Sequence, residues 1–403
     1  MKKFNPSIEL EKRIGNQIYE ALQGEVVEEI MRKTDVSNED NYVRSHMEGN
    51  CLKVQQDLLP DFYNLCQDVK RKLNFNEPVD FYISGNAEIN AYSILGENEN
   101  PHIVNLYSGL FNIMNQDELR FVVGHELGHI INRDTKLTRL INFIFPSDDS
   151  QHISLRYKIR LHDQLAELVA DRYGYLATEN INACITAFYK LSSGLDLGKM
   201  EVSIDALLAN NNRALDFFLH ENGMSIHDHP VNPIRVQSIN LFATATSEDE
   251  LNKGMDELIG ILLRGGTSEI DEYISRFIVS AGLFVVLKTN DNVNDDEYNK
   301  IIDTLASRQI FPREYLDEVV NSGDIVDTFT QTAEKLLDKD PSLRESLMSY
   351  MIDIVMSDKK ITHDEVKTLY EIGDYLGFSE QEVAQAIAHS IQTEFVPSLE
   401  SIC

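Results

Sequence analysis

Apolar positions recur at helical spacing over most of the chain. Between residues 5 and 32, Leu10, Ile14, Ile18, Leu22 and Val26 follow one another in four-residue steps, which predicts a helix with one buried stripe. The polar run KTDVSNEDNYVRSHMEGN after it reads as a loop. A helix is predicted over about 59–73, with Pro60 in its first turn, where proline is tolerated, and Phe62, Leu65 and Val69 on one side. Short strands follow at Val79–Ser84, Ile89–Ser93 and His102–Tyr107, separated by Gly and Asn clusters that suit turns. Asn115 is placed to cap a helix from Gln116 through Ile131. A long helix is predicted over Ser154–Thr178, with further helices near 181–192 and 201–219 and a loop, HDHPVNP, at 227–233. Charged residues at 246–257 and the pair Gly265-Gly266 place a domain boundary between 245 and 268. Everything beyond it reads as helix.

Composition narrows the class. A length of 403 residues predicts two or three domains, and 42% hydrophobic with 25% charged residues is ordinary for a globular protein. The formal charge of −30 repels phosphate, which argues against nucleic acid and against an anionic membrane surface. Residues 246–403 hold 32 acidic and 13 basic side chains, so the shorter C-terminal part carries most of the excess. That face is either solvated helical surface or a dock for a basic protein partner. Cys51, Cys66, Cys184 and Cys403 form no CxxC pair, which predicts reduced thiols and a cytoplasmic location. The start has no apolar run of a secretory signal, and the apolar stretch Phe277–Leu287 is too short to span a bilayer. Two acidic segments 68 residues apart, Thr289–Glu297 and Ser357–Glu365, form a weak internal repeat. Neither has the glycine and terminal glutamate of an EF-hand, so each is read as a helix-loop-helix junction in which Asp-Glu opens the next helix.

The chemistry lies in Phe121–Ile130, FVVGHELGHI. His125 and His129, spaced i, i+4 on a helix, share a face and can hold one Zn²⁺. Glu126, beside His125, can reach a water on that ion and is the natural general base. Gly128 gives up about 1 kcal/mol of helix propensity relative to alanine, a hint that another element comes close. A catalytic zinc needs a third ligand, and Glu167 in LHDQLAELVADRYG is assigned to it. Asp171, one turn later, is placed to accept from the outer nitrogen of a ligand histidine, His125 first. His162 falls off that face and is read as surface.

Further motifs carry a resemblance. Asn90-Ala91-Tyr92, Ser108-Gly109-Leu110, Asp117-Glu118-Leu119, Arg133-Asp134 and His229-Pro230 with Arg235 match, in order, elements around the zinc helix of one gluzincin family. Over residues 58–242 the chain resembles the soluble catalytic domain of the HtpX, Oma-type and CAAX prenyl proteases, metallopeptidase family forty-eight. The resemblance implies that the strand at Asn90 and Ala91 rims the cleft and pairs with an extended peptide. It also implies that His229 approaches the zinc from the opposite side, to donate to the oxyanion or to occupy the open position, and that Arg235 pairs with Glu167 or steadies its loop. Most relatives carry transmembrane helices, which this chain lacks, so a soluble branch is expected. Residues 268–403 resemble the TerB-like helical domain through their acidic loops, Asn290–Glu297 and Asp358–Glu365.

The expected architecture is α+β. A helical extension over 1–50 precedes a mainly helical zincin-type domain with a small sheet at 51–245, and an all-α TerB-like domain follows at 268–403. The expected activity is zinc-dependent endopeptidase action on protein substrates, with one Zn²⁺ per chain. The alternative is a latent or inactive zinc-bearing peptide-binding module whose C-terminal domain recruits a partner.

Overall fold

The computed structural model describes residues 4–33, 37–96, 100–145, 153–220, 230–264, 277, 280, 281, 284, 325–356 and 361–399. The first of two compact units draws on residues 1–150, 158–220 and 227–258, and the second on 151–157, 221–226 and 259–403. The class is α+β.

The N-terminal stripe forms two helices rather than one, α1 (Glu9–Ala21) and α2 (Gly24–Lys33). Gln23 between them takes a left-handed φ of 50°, which rotates the second helix. Ile14 and Ile18 therefore stay buried while Val26 is exposed. The polar run predicted as loop contains α3 (Ser37–Asn50). Its Met47 is buried against Tyr82 and Ile103, with Val43 one turn earlier packing on the same cluster. Two apolar positions at i, i+4 sufficed to bury one face, although the surrounding residues are polar.

A four-stranded sheet follows, β1 (Leu52–Lys53), β2 (Val79–Ser84), β3 (Ala91–Ile94) and β4 (His102–Tyr107), in the spatial order β1-β2-β4-β3. β2 and β4 run parallel, with Val79 opposite His102 and Ser84 opposite Tyr107. β3 pairs antiparallel with β4, Ala91 opposite Leu106, and ends the sheet on that side. The parallel pair is crossed over, not joined by a hairpin, so β3 is inserted as an edge strand between them in sequence. Helix α4 (Pro60–Lys72) buries Phe62, Leu65, Cys66 and Val69 against the same core.

After the short α5 (Leu110–Ile113) comes α6 (Gln116–Asn132). Asn115 accepts from the backbone of Asp117 and Glu118, and Glu118 accepts from the Asn115 backbone at 2.7 Å, a reciprocal cap. Glu118 is buried and also meets Lys190 Nζ at 2.8 Å, while Lys190 donates to the Ile113 carbonyl. This ion pair fixes where the helix starts. α6 ends at Arg133, left-handed at φ 64°, and α7 (Asp134–Ile144) departs in a new direction. Helices α8 (Ile153–Thr178), α9 (Ile181–Ser193), α10 (Ile204–His220), α11 (Asn232–Thr244) and α12 (Glu248–Arg264) follow.

The N-terminal segment is tied to α8. Arg172 is buried, donates to the carbonyls of Pro6 and Ser7 at 3.2 Å, and lies 5.0 Å from the Phe242 ring. Burial pulls its pKa down to about 10. His162, read from the sequence as surface, is only 4% exposed, because α1 covers that face of α8. Burial disfavours its charged form, yet Asp163 and Glu11 outweigh it and hold the pKa up at about 10.

In the second unit, α13 (Ile325–Lys339), α14 (Leu343–Met356), α15 (His363–Tyr375) and α16 (Glu380–Leu399) bury Phe329, Leu336, Leu347, Met351, Leu369 and Ile372. Phe277 and Phe284, from the apolar stretch, pack on Phe329 at ring separations of 5.4 and 5.0 Å. Thr362 and Glu365 cap α15 reciprocally, with Asp364 and Glu365 in its first turn. The rest of that acidic loop, 357–360, and all of Asn290–Glu297 lie outside the described residues. No helix among the described residues is long and apolar enough to cross a membrane.

Candidate metal centre

Close approach of α6 and α8 builds the site. A Cβ added at Gly124 would stand 2.4 Å from the Ala177 Cβ and 3.0 Å from the Gly174 Cα. One added at Gly128 would stand 2.9 Å from the Tyr173 Cβ and 3.0 Å from the Ala170 Cα. Gly174 in turn admits Phe121. The glycines cost helix propensity and in exchange let two backbones approach closely enough for α8 to present carboxylates to the histidines of α6. Gly124→Ala should therefore lower stability by about 1–3 kcal/mol, since the contacts are backbone and Cβ atoms that cannot swing aside. In differential scanning calorimetry the midpoint should fall by several degrees; an unchanged or higher midpoint would refute the close-packing account.

On these helices His125 Nε2 lies 3.2 Å from His129 Nε2. Glu167 Oε1 is 3.3 Å from His129 Nε2, and its Oε2 is 3.5 Å from His125 Nε2. Ligands of a tetrahedral zinc at about 2.0–2.1 Å sit roughly 3.3–3.4 Å from one another. The two nitrogens and the carboxylate thus have the donor types and the spacing of a zinc site.

Each histidine has a carboxylate on its other nitrogen. His125 Nδ1 is 3.0 Å from Asp171 Oδ1, and His129 Nδ1 is 3.0 Å from Asp134 Oδ2. Both arrangements turn Nε2 toward the common centre. Asp171 and Arg235 form a two-point pair, Nε to Oδ2 at 2.8 Å and Nη2 to Oδ1 at 2.6 Å. Arg235 Nη2 also reaches Glu167 Oε2 at 3.2 Å, so one guanidinium serves both acidic residues. Burial works against charge on Asp171, and Arg235 overcomes it, holding the carboxyl below its usual range. Burial likewise disfavours protonated His129, but Asp134 and Glu167 prevail and raise its pKa well above the ordinary imidazole value. The carboxylates therefore create a field that draws a cation to the imidazoles.

A cleft of ≈ 700 Å³ opens over this centre. Asn90, Ala91, Tyr92 and Ser93 at the sheet edge form one wall, with His125, Glu126, His129, Glu167 and Arg235 at its base. Leu191, Ser192, Pro230 and Asn232 also line it. Thus His125, Glu126, His129, Glu167, Asp171, Arg235, Asn90 and Ala91 lie together. His229 and its neighbour His227 lie outside the described residues. Asp134 had no role in the sequence reading; the signal was present in Arg133-Asp134 directly after α6. It required the left-handed turn at Arg133 to become a histidine partner.

The sequence pattern of peptidase family M48 matches residues 61–146, and that of the tellurite resistance protein TerB matches residues 277–388. Both matches are consistent with the family resemblance of the zinc-type motif and of the C-terminal region. The M48 match contains His125, Glu126 and His129 and stops before Glu167. A plastoglobule-localized metallopeptidase 48 of Arabidopsis thaliana chloroplasts is 23% identical over 252 residues, 59% of this chain and 69% of that one. An HtpX protease homologue of Streptococcus uberis is 31% identical over 88 residues, 22% of this chain and 29% of its own length. One from Trichormus variabilis is 34% identical over 82 residues, 20% of this chain and 28% of its own. The chain thus spans less than a third of these HtpX homologues. Family M48 is one of metal-dependent proteases, usually with zinc.

Proposed function

We propose that this chain is a zinc-dependent endopeptidase of the M48 type acting on extended segments of protein substrates. The observation that carries the reading is the set of two imidazole nitrogens and one carboxylate, with closest approaches of 3.2–3.5 Å, at the base of a cleft that Glu126 also lines. His125, His129 and Glu167 hold the ion. Zn²⁺ bound there would supply Lewis acidity and bring the pKa of a bound water toward about 7. Glu126 takes the proton from that water and delivers it to the leaving amine. Asp171 and Asp134 hold the two imidazoles in the tautomer that faces the ion. Arg235 keeps Asp171 ionised inside the buried floor and pairs with Glu167 Oε2.

Edge strand β3 offers its outer edge at Ala91 to a peptide laid along the cleft, adding one strand to the sheet, while the Asn90 carbonyl accepts from the Tyr107 N–H and anchors the start of that strand. Such binding selects extended, unfolded chain. For His229, which lies outside the described residues, the family resemblance supports a role in stabilising the oxyanion. The TerB-like region is assigned to partner binding through its acidic helices.

The test is cleavage of a fluorescently quenched, unfolded protein such as casein by the full-length chain, before and after chelation. Cleavage should vanish on chelation and return with added Zn²⁺. Protein that holds zinc in the trio yet never cleaves casein would overturn the endopeptidase reading in favour of a peptide-binding module.

A further inference from the structure

A second group of donor side chains lies behind the first. Glu11 of α1, Asp134 of α7 and His162 of α8 each offer one ligand atom, all within 4.8 Å of one another. All three are buried, and Glu11 and His162 are each 4% exposed. Glu11 Oε1 is 3.3 Å from His162 Nε2. His162 Nδ1 is 3.2 Å from Asp163 Oδ1. This repeats the pattern at His125 and His129: a carboxylate on Nδ1, and Nε2 turned toward further donors, the arrangement that metal-ligating histidines carry. Asn132 Nδ2 bridges the two acids, 3.1 Å from Glu11 Oε1 and 2.6 Å from Asp134 Oδ1.

Two observations point to a ligand. Glu11 Oε2 is buried with no hydrogen-bond partner among the described residues, a costly position for a carboxylate oxygen. Among the described residues neither Glu11 nor Asp134 has a Lys or Arg within ion-pair distance, and the ionisable partners they meet are imidazoles. Gly15 permits the approach, since a Cβ on it would stand 3.0 Å from His162 Nε2.

We propose that Glu11, Asp134 and His162 form a second divalent-cation site, one that ties the N-terminal helix to the catalytic helix. Two carboxylates and an imidazole suit a first-row ion such as Zn²⁺, whereas Ca²⁺ takes six to eight oxygens. The ion takes the place of the Nε2 proton of His162, which leaves to solvent. Asp134 is shared: one face lies toward this site and Oδ2 lies on His129 Nδ1. The N-terminal helix, outside the M48 match, thereby becomes part of the frame that orients a catalytic ligand.

The experiment is elemental analysis of the full-length chain, stripped, reloaded with Zn²⁺ and desalted. Wild type should hold two ions, Glu167→Ala one, Glu11→Gln one, and the double variant none. Glutamine preserves the shape of Glu11 and its acceptor for Asn132. His162→Gln, combined with Glu167→Ala, repeats the test should Glu11→Gln fail to fold, and should also hold none. Glu167→Ala with no ion overturns the second site. So does an ion in Glu167→Ala that survives both added substitutions. A single wild-type ion that Glu11→Gln loses and Glu167→Ala keeps would support this site and remove the catalytic trio, so the two readings fail separately.

Discussion

Glu126→Gln keeps the wild-type zinc content and loses casein cleavage by about 10²–10⁴-fold, the usual contribution of a positioned general base. Glu126 is buried to 7% exposure, lines the cleft and follows His125 directly, yet belongs to neither of the ligand pairs described. Glutamine has the same volume and still hydrogen-bonds, so α6 and its glycine contacts are undisturbed. Only the capacity to take and return a proton is removed. Zinc content by elemental analysis and initial rates on quenched casein, measured on the same preparations, check this. Wild-type rates in a zinc-loaded Glu126→Gln protein would take Glu126 out of the proton path.

Glu167→Ala loses one equivalent of zinc after dialysis, and cleavage disappears with it. Glu167 is the only anionic donor of the trio, facing both Nε2 atoms at 3.3 and 3.5 Å. Its removal takes one negative charge from beside the Arg235 guanidinium and the two imidazoles, so the remaining positive charge weighs more heavily against a cation. Asp171→Asn should be milder, about 10–100-fold in zinc affinity, because it loosens His125 without removing a donor. Competition with a chromogenic chelator ranks the two variants. Undiminished zinc in Glu167→Ala would remove it from the ligand set.

Much of the site was legible because its chemistry is local. His125, Glu126 and His129 lie on one helix, and the 3.6-residue period alone puts both imidazoles on one face. Asn115 and Glu118 announced the start of that helix by cap chemistry. The N-terminal region was less legible. α3 was hidden in a polar run because two apolar residues bury it, and the break at Gln23 depends on a backbone conformation that the apolar stripe does not encode. His162 looked exposed because its cover, α1, lies about 150 residues earlier in the chain.

By itself, then, the sequence determined the α+β class, the helix that carries His125, Glu126 and His129, and the residue types able to bind a metal. These follow from periodicity and donor chemistry, which act within a few residues. Only the tertiary structure decided that Gly124, Gly128 and Gly174 bring α8 against α6, and that Arg235 clamps Asp171. It alone set Asp134 behind His129 and buried Glu11 with His162. Such contacts join positions 5 to 151 residues apart, and each depends on a turn or a close approach that no local pattern records.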